Sequence, residues 1–440
     1  MSEALEQSDL REGYKTVKLG PREIPIPDEW DNVPFDEAIE LNPKYEKPDN
    51  GPFDYLPMDA VDEEKQTIEY WTQREKDDCT TTWFKNGDTV YAKITPCTEN
   101  GKIAFIEDLG TEVGSGSTEF LVFHPRDGVT DERFVYYLSN LPEFRSVTIS
   151  LMEGSTGRQR VPSDVFKGGI QVPLPPLPEQ RRIADILSTV DEQIQQTDEI
   201  IKETKALRDG LLQDLFDELI PNSGRKETQL GPFQVQIPEH WEISDLDDLN
   251  QDDYPICYGV VQPGKHDEDG IPLLNIEDVD ETGEIQRESI HKITPDLHEE
   301  YSRSQLQGGE VLVSVKGTVG NIVQLNEEIG EANISRDLAR VTPTTDLDAR
   351  WLKYCLSTKI YQDLIDVFST GSTRASLNIG ELREIPIICP PISEQDRISE
   401  VLSTVEREIE IERENKQHLQ DLKRGLLQDL LTGKVRVSVD

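Results

Sequence analysis

The feature that most constrains this chain is an internal repeat. The stretch from Pro175 to Phe216 aligns without a gap with that from Pro390 to Leu431, and about 19 of the 42 positions are identical, among them Pro-Pro, Glu-Gln, Leu-Ser-Thr-Val and Gly-Leu-Leu-Gln-Asp-Leu. Each copy opens on a proline pair that cannot continue a strand ladder, and a Glu soon after marks a helix start. Ile183, Leu187, Val190, Ile194 and Ile201 follow a four-three spacing that Ile398, Leu402, Val405 and Ile409 repeat, so each copy presents one apolar stripe to a partner helix. A run of ~38 residues predicts a rod of roughly 55 to 60 Å. The stripe weakens at Thr197, Thr204, Glu412 and Lys416. Two equal rods in one chain most simply lie against each other; two unrelated coiled coils or core helices are the plainer alternative.

The repeat extends beyond the rods. Leu19-Gly20-Pro21 leads to Ile26-Pro27-Asp28-Glu29-Trp30, and Leu230-Gly231-Pro232 leads to Ile237-Pro238-Glu239-His240-Trp241. Strands are expected at 87–94, 103–106 and 120–123 in the first half and at 309–315 and 320–323 in the second, with helices at 134–141 and 349–368. Each half then reaches a Gly-Ser-Thr loop followed by an arginine, a strand (169–172 or 385–388) and the proline pair. The expected fold is α+β: a globular domain at 1–177 with a polar tail at 1–13, a long helix at 178–220, a second domain at 221–391 opening on a linker at 221–231, and a second long helix with its tail at 392–440.

With 87 acidic against 45 basic side chains the net charge is -42, which by itself argues against nucleic acid. Aromatic and β-branched residues are spread throughout, so the chain should fold rather than remain a disordered acidic region. At molar salt the Debye length falls to about 3 Å, where self-repulsion is tolerable and a hydrated acidic surface favours solubility; the composition fits a halophile's cytosol. The five cysteines are scattered with no C-x-x-C pair, which suggests neither a zinc site nor a disulfide framework. Without a long apolar run or a charged-then-apolar leader, no membrane span or secretion is expected, and a cytoplasmic location fits.

A catalytic reading finds little support. Gly259 to Lys265 resembles a phosphate-cradling loop, but His266 stands where Ser or Thr should ligate magnesium, and acidic residues follow instead of a helix. Six histidines without metal spacing and no Gly-x-Ser-x-Gly elbow leave no hydrolytic or metal constellation. Binding is better supported. Arg145, Arg158, Arg160 and Lys167 form a locally basic window, Lys85, Lys93 and Lys102 enrich the first-half strands, and Lys316 lies in a stretch without acid, with Arg336 and Arg340 just beyond. From Ser369 to Asn378 only Arg374 is charged. Where acid is the default surface, its absence marks places that could face phosphate. Buried strands and tight loops would produce the same windows.

Leu-Gly-Pro with Ile-Pro-x-x-Trp at each entrance, Pro-Pro-x-x-Glu-Gln-x-Arg-Ile, the long helix and Gly-Leu-Leu-Gln-Asp-Leu together resemble the specificity subunit of a type I DNA restriction-modification system. The resemblance spans nearly the whole chain. It implies two target-recognition domains separated by an antiparallel coiled coil with pseudo-twofold symmetry and contacts to double-stranded DNA, for which the locally basic windows offer Lys93, Lys102, Arg145, Arg158, Arg160, Lys316, Arg336, Arg340 and Arg374. It places Glu179, Gln180, Leu187, Val190, Glu394, Gln395, Leu402 and Val405 on partner-binding or spacer helices. It also implies two modification (methyltransferase) subunits using S-adenosylmethionine and restriction or translocase subunits using ATP and Mg, with no chemistry or cofactor on this chain. A coiled-coil scaffold without DNA readout and a standalone enzyme remain the alternatives; the divergent heads favour reading, and the missing constellations weigh against an enzyme.

Overall fold

The computed structural model describes residues 11–19, 22–49, 51–155, 157–213, 224–280, 283–285, 290–369 and 376–438. The chain divides into two compact units, Met1–Asp198 with Glu414–Asp440, and Glu199–Arg413. Each long helix therefore contributes to both: Leu177–Gln213 and Ile392–Leu431 are each cut by the division. Residues 214–220 of the expected first helix lie outside the described residues.

The first unit begins with the hairpin of Tyr14–Leu19 and Arg22–Pro27, followed by Asp31–Pro34, which pairs with Gln171–Leu174 just before the first long helix. A four-stranded sheet runs in the order Ile39–Leu41, Phe120–Pro125, Thr89–Ala92, Ile103–Phe105. Tyr91, Leu121 and Phe123 enter the core beneath the helices Glu132–Asn140 and Pro142–Ser150, whereas Val90, Ala92, Phe120 and Val122 enter a second core with Leu56, Phe84 and Ala104. Both faces of the sheet are covered, which is why these strands read as unbroken apolar runs instead of alternating ones. The second core is shared with the sheet Thr72–Arg74, Phe53–Leu56, Gly114–Gly116, Thr82–Phe84.

The second unit repeats this plan. A hairpin of Arg225–Leu230 and Phe233–Pro238 is followed by Glu242–Asp245, paired with Pro386–Cys389. The four-stranded sheet has the equivalent order Cys257–Tyr258, Leu338–Val341, Val311–Ser314, Ile322–Gln324. Val311, Val313, Ala339 and Val341 face the helix side, and Leu312 and Leu338 face the other core.

Two local expectations change. Residues 225–230 of the expected linker form a strand, because Gly231 at φ +58° turns the chain back to complete the hairpin. A side chain at Gly231 would also meet Leu364 Cδ1 at 2.5 Å. The expected helix at 349–368 is two helices, Ala349–Ser357 and Lys359–Phe368: Thr358 is extended (φ -69°, ψ 153°), and its hydroxyl donates to the Cys355 carbonyl at 2.7 Å.

Along the long helices, the weak points of the apolar stripe acquire polar partners. In the first unit Lys416 Nζ lies 2.6 Å from Asp198 Oδ1 and Lys423 Nζ 2.6 Å from Asp191 Oδ1. Thr197 is buried, with its hydroxyl on the Gln193 carbonyl. Leu427, Leu430 and Leu431 share a core with Ile183, Ala184 and Leu187, and in the second unit Leu211 and Leu212 pack on the core that holds Ile398 and Leu402.

Candidate nucleic-acid interface

The two most repetitive motifs meet in space. Trp30 Nε1 donates to Glu179 Oε2 at 3.0 Å, and Trp241 Nε1 donates to Glu394 Oε2 at 2.9 Å. Gln180, with no exposure, accepts from the Asp131 amide at 3.0 Å and donates to the carbonyls of Val129 and Pro175. Gln395 repeats each bond, accepting from the Asp348 amide and donating to the Asp346 and Pro390 carbonyls. Asp131 and Asp348 in turn cap the helices after the central sheets. The Glu-Gln pair thus ties the start of each long helix to the tryptophan of the entrance and to a helix cap.

The halves differ in what completes the glutamate. Arg436 places Nε 2.8 Å from Glu179 Oε1 and also reaches Glu29, whereas Glu394 receives His240 Nε2 at 3.0 Å. Burial opposes the charge on Glu394, but the Trp241 and His240 hydrogen bonds together hold its carboxyl below the usual range. Leu187 and Leu402 are fully buried, Val190 is buried and Val405 is half-buried.

The basic residues separate into distinct groups. Arg145 donates to the Glu99 carbonyl at 2.8 Å and Lys102 to the Met58 carbonyl at 3.2 Å, so both are engaged within the domain. The Arg145 guanidinium lies where a Cβ on Gly101 would stand 2.7 Å from Cζ, and this position, at φ +80°, requires glycine. Arg340 corrects the surface expectation. On the strand Leu338–Val341 it points to the same face as Leu338, is 1% exposed, donates to the Gln305 carbonyl, and lies 5.4 Å from the Tyr254 ring centroid. A side chain so enclosed offers nothing to a phosphate. It also acts electrostatically on buried Glu310, whose carboxyl burial pushes up despite bonds from the Gln307 and Gly308 amides.

Arg158, Lys316 and Arg336 are exposed, Arg336 beside Asp337 at 3.5 Å; Lys93 is half-buried, and Arg374 lies outside the described residues. Equivalent backbone bridges, Ile94 with Arg160 and Lys316 with Ser376, join the end of the central strand to the segment after the Gly-Ser-Thr loop in each half. The first half carries its cation on one side of the bridge and the second half on the other. Arg160 is gripped by Glu119, with Nε to Oε2 at 2.9 Å and NH2 to Oε1 at 2.8 Å, while Lys316 Nζ stands 4.9 Å from the Tyr258 ring centroid. The Arg160 hydrogen bonds, with a weaker pull from Lys93, hold the Glu119 carboxyl below the usual range.

Glu119 and Tyr258 escaped the sequence reading, since neither stands in a repeated motif. So did the buried Asp88, whose carboxylate accepts from Tyr45 Oη at 2.7 Å and the Lys85 amide at 2.8 Å and pairs with His124 Nδ1 at 2.7 Å. The signal that could have found it is positional: Gly87-Asp88 and Gly309-Glu310 both precede the central strand with a carboxylate. No group of three or more metal-ligating side chains suited to an ion occurs among the described residues.

Two like α+β units, each carrying the same Trp–Glu closure at the start of a long helix, define a duplicated architecture. Residues 27–206 and 238–421 match the family model for the type I restriction modification DNA specificity domain, and the chain belongs to that family. It is similar to the type I restriction enzyme EcoBI specificity subunit of Escherichia coli, with 30% identity over 52% of this chain and 49% of that protein. It also resembles the putative type I restriction enzyme MjaX specificity subunit of Methanocaldococcus jannaschii, with 24% identity over 97% of both chains. Among solved structures, one concerned with complex assembly and conformational transition of the type I R-M system aligns with a TM-score of 0.55 at 21% identity, covering 93% of this chain and 99% of that one.

Proposed function

We propose that this chain reads an asymmetric, bipartite double-stranded DNA sequence as the specificity subunit of a type I restriction-modification complex. Membership of the family makes it the DNA-recognition, non-catalytic component of such a system. The observation that carries the bipartite reading is the equivalent bridge in the two halves, decorated by Arg160 with Glu119 in one and by Lys316 with Tyr258 in the other. Like scaffolds with unlike polar groups suit two unlike half-sites, since base edges are distinguished by donor and acceptor pattern. Arg158, Arg160, Lys93, Lys316 and Arg336 are the described cations that would meet DNA, and Arg374 belongs with them by its sequence position.

The long helices act as a spacer packed antiparallel with pseudo-twofold symmetry. The pairings of Asp191 with Lys423 and Asp198 with Lys416 support this, because residue numbers rise on one helix as they fall on the other. A fixed spacer sets the half-site separation, with centres about one helical turn apart. Two methyltransferase subunits would supply S-adenosylmethionine and the methyl transfer, and restriction subunits would supply ATP and Mg chemistry. The acidic surface fits a cytoplasm at molar salt, where base contacts and bound water contribute more of the affinity than counterion release.

Random-library DNA selection in molar KCl, with the chain co-purified with its methyltransferase partner, tests this. Two unlike blocks at a fixed gap are expected. An intact complex that enriches nothing would favour a protein scaffold without DNA readout.

A further inference from the structure

The geometry points to Arg160 as a guanine-reading residue for the half-site bound by the first domain, with Glu119 as its positioning residue. This rests on the DNA-reading function proposed above and deepens it. An arginine guanidinium has two edges that can form paired hydrogen bonds: the Nε/NH2 side and the NH1/NH2 end. Glu119 occupies the first with bonds of 2.9 and 2.8 Å. The second faces away from the carboxylate, and among the described residues no hydrogen bond engages NH1. That end can span O6 and N7 of guanine in the major groove.

The backbone that carries Arg160 is held on both sides. It bridges Ile94 and Glu153, with the Glu153 amide on the Arg160 carbonyl at 2.9 Å and the reciprocal bond at 2.8 Å. The Thr95 amide reaches the Gln159 carbonyl at 3.0 Å, and the Val161 amide the Lys93 carbonyl at 2.8 Å. Arg160 remains 47% exposed, with exposed Arg158 two residues away at the turn. A long side chain that normally loses rotamer freedom on binding is already ordered here, while nearly half of it stays open to solvent. The bidentate clamp fixes the plane of the guanidinium, and so aims its other end, whatever it adds to folding. In the second domain the equivalent position is Ser376, so the reading is confined to one half-site.

The test is the same library selection on the wild-type complex, Arg160→Ala, Arg160→Lys and Glu119→Ala, each checked for unchanged melting temperature and partner assembly. The wild type is expected to enrich guanine at one position of one block. Arg160→Ala and Arg160→Lys should each weaken that preference by about tenfold or more, leaving the other block intact, and Glu119→Ala should blur the same position. Unchanged preferences, a uniform loss at every position as for a phosphate contact, or an effect on the second block would overturn the assignment while the bipartite reading stood. Failure of the wild type to enrich any bipartite site would remove both.

Discussion

The indole nitrogen of Trp30 reaches the carboxylate of Glu179 at 3.0 Å across 149 residues of sequence, and the pair recurs as Trp241 with Glu394. Both partners are buried in the first unit, and Arg436 adds two further bonds to the same carboxylate. Removing it strands the buried indole donor and leaves Arg436 with Glu29 and solvent alone.

Glu179→Ala should therefore lower unfolding stability by about 2–3 kcal/mol, since buried donors bear the full desolvation cost once their acceptor is gone. Urea denaturation of the wild type and variant measures this. A midpoint unchanged within error would mean that water replaces the carboxylate without loss.

Lys416 and Asp198 contact at 2.6 Å with both side chains about one-quarter exposed. A double-mutant cycle with Lys416→Met and Asp198→Asn should give a coupling of about 0.5–1 kcal/mol in dilute buffer that shrinks in molar KCl. A coupling near zero at every salt concentration would deny that this pair helps hold the helix register.

Arg340 is a core residue by its strand position, so Arg340→Ala should cost about 3 kcal/mol by leaving buried Glu310 and the Gln305 carbonyl poorly compensated. DNA affinity per folded molecule should stay the same. Thermal melts beside active-fraction titrations separate the two, and a selective loss of affinity would return Arg340 to the interface.

The hydrogen bond that His124 Nδ1 donates to Asp88 raises the imidazole pKa above its ordinary value, outweighing the opposing effect of burial. A group with a raised folded pKa stabilises the protein fully below its unfolded value, about 6.5, and loses that contribution as pH rises through the folded value. His124→Gln should thus be most damaging at pH 5.5 and progressively less so above neutrality. Equal destabilisation at pH 5.5 and 8.5 would show that the imidazolium form is not what Asp88 holds.

Arg158→Ala should weaken DNA binding without disturbing partner assembly and reduce the slope of log affinity against log salt by about 0.9, the share of one phosphate contact. Titrations between low and molar salt read the slope. An unchanged slope would remove Arg158 from the phosphate contacts, and parallel loss of assembly in pull-downs would assign it to the fold.

The repeat, the long helices and the α+β class were legible in the chain because they depend on local period and on one stretch matching another. The stripe from Ile183 to Leu187 and its copy from Ile398 to Leu402 are buried in the two units, as their spacing requires. Helix boundaries were less legible. The division at Thr358 is local in origin, its hydroxyl bonding back to the Cys355 carbonyl three residues earlier, but the apolar pattern runs on through it and so hides the break.

For the candidate site, sequence identified where basic residues stand without acids but could not distinguish a solvent-facing cation from a buried one. Arg340 and Lys316 occupy similar acid-poor windows, yet strand alternation turns the first into the core and chain exit leaves the second exposed. Likewise Glu119 looks like any of 87 carboxylates until the chain brings it beside Arg160. The sequence by itself determined which elements repeat, because helix period and apolar pattern are properties of neighbours along the chain. Only the tertiary structure decided which charges meet, because hydrogen-bond direction and burial depend on residues that distant segments bring together.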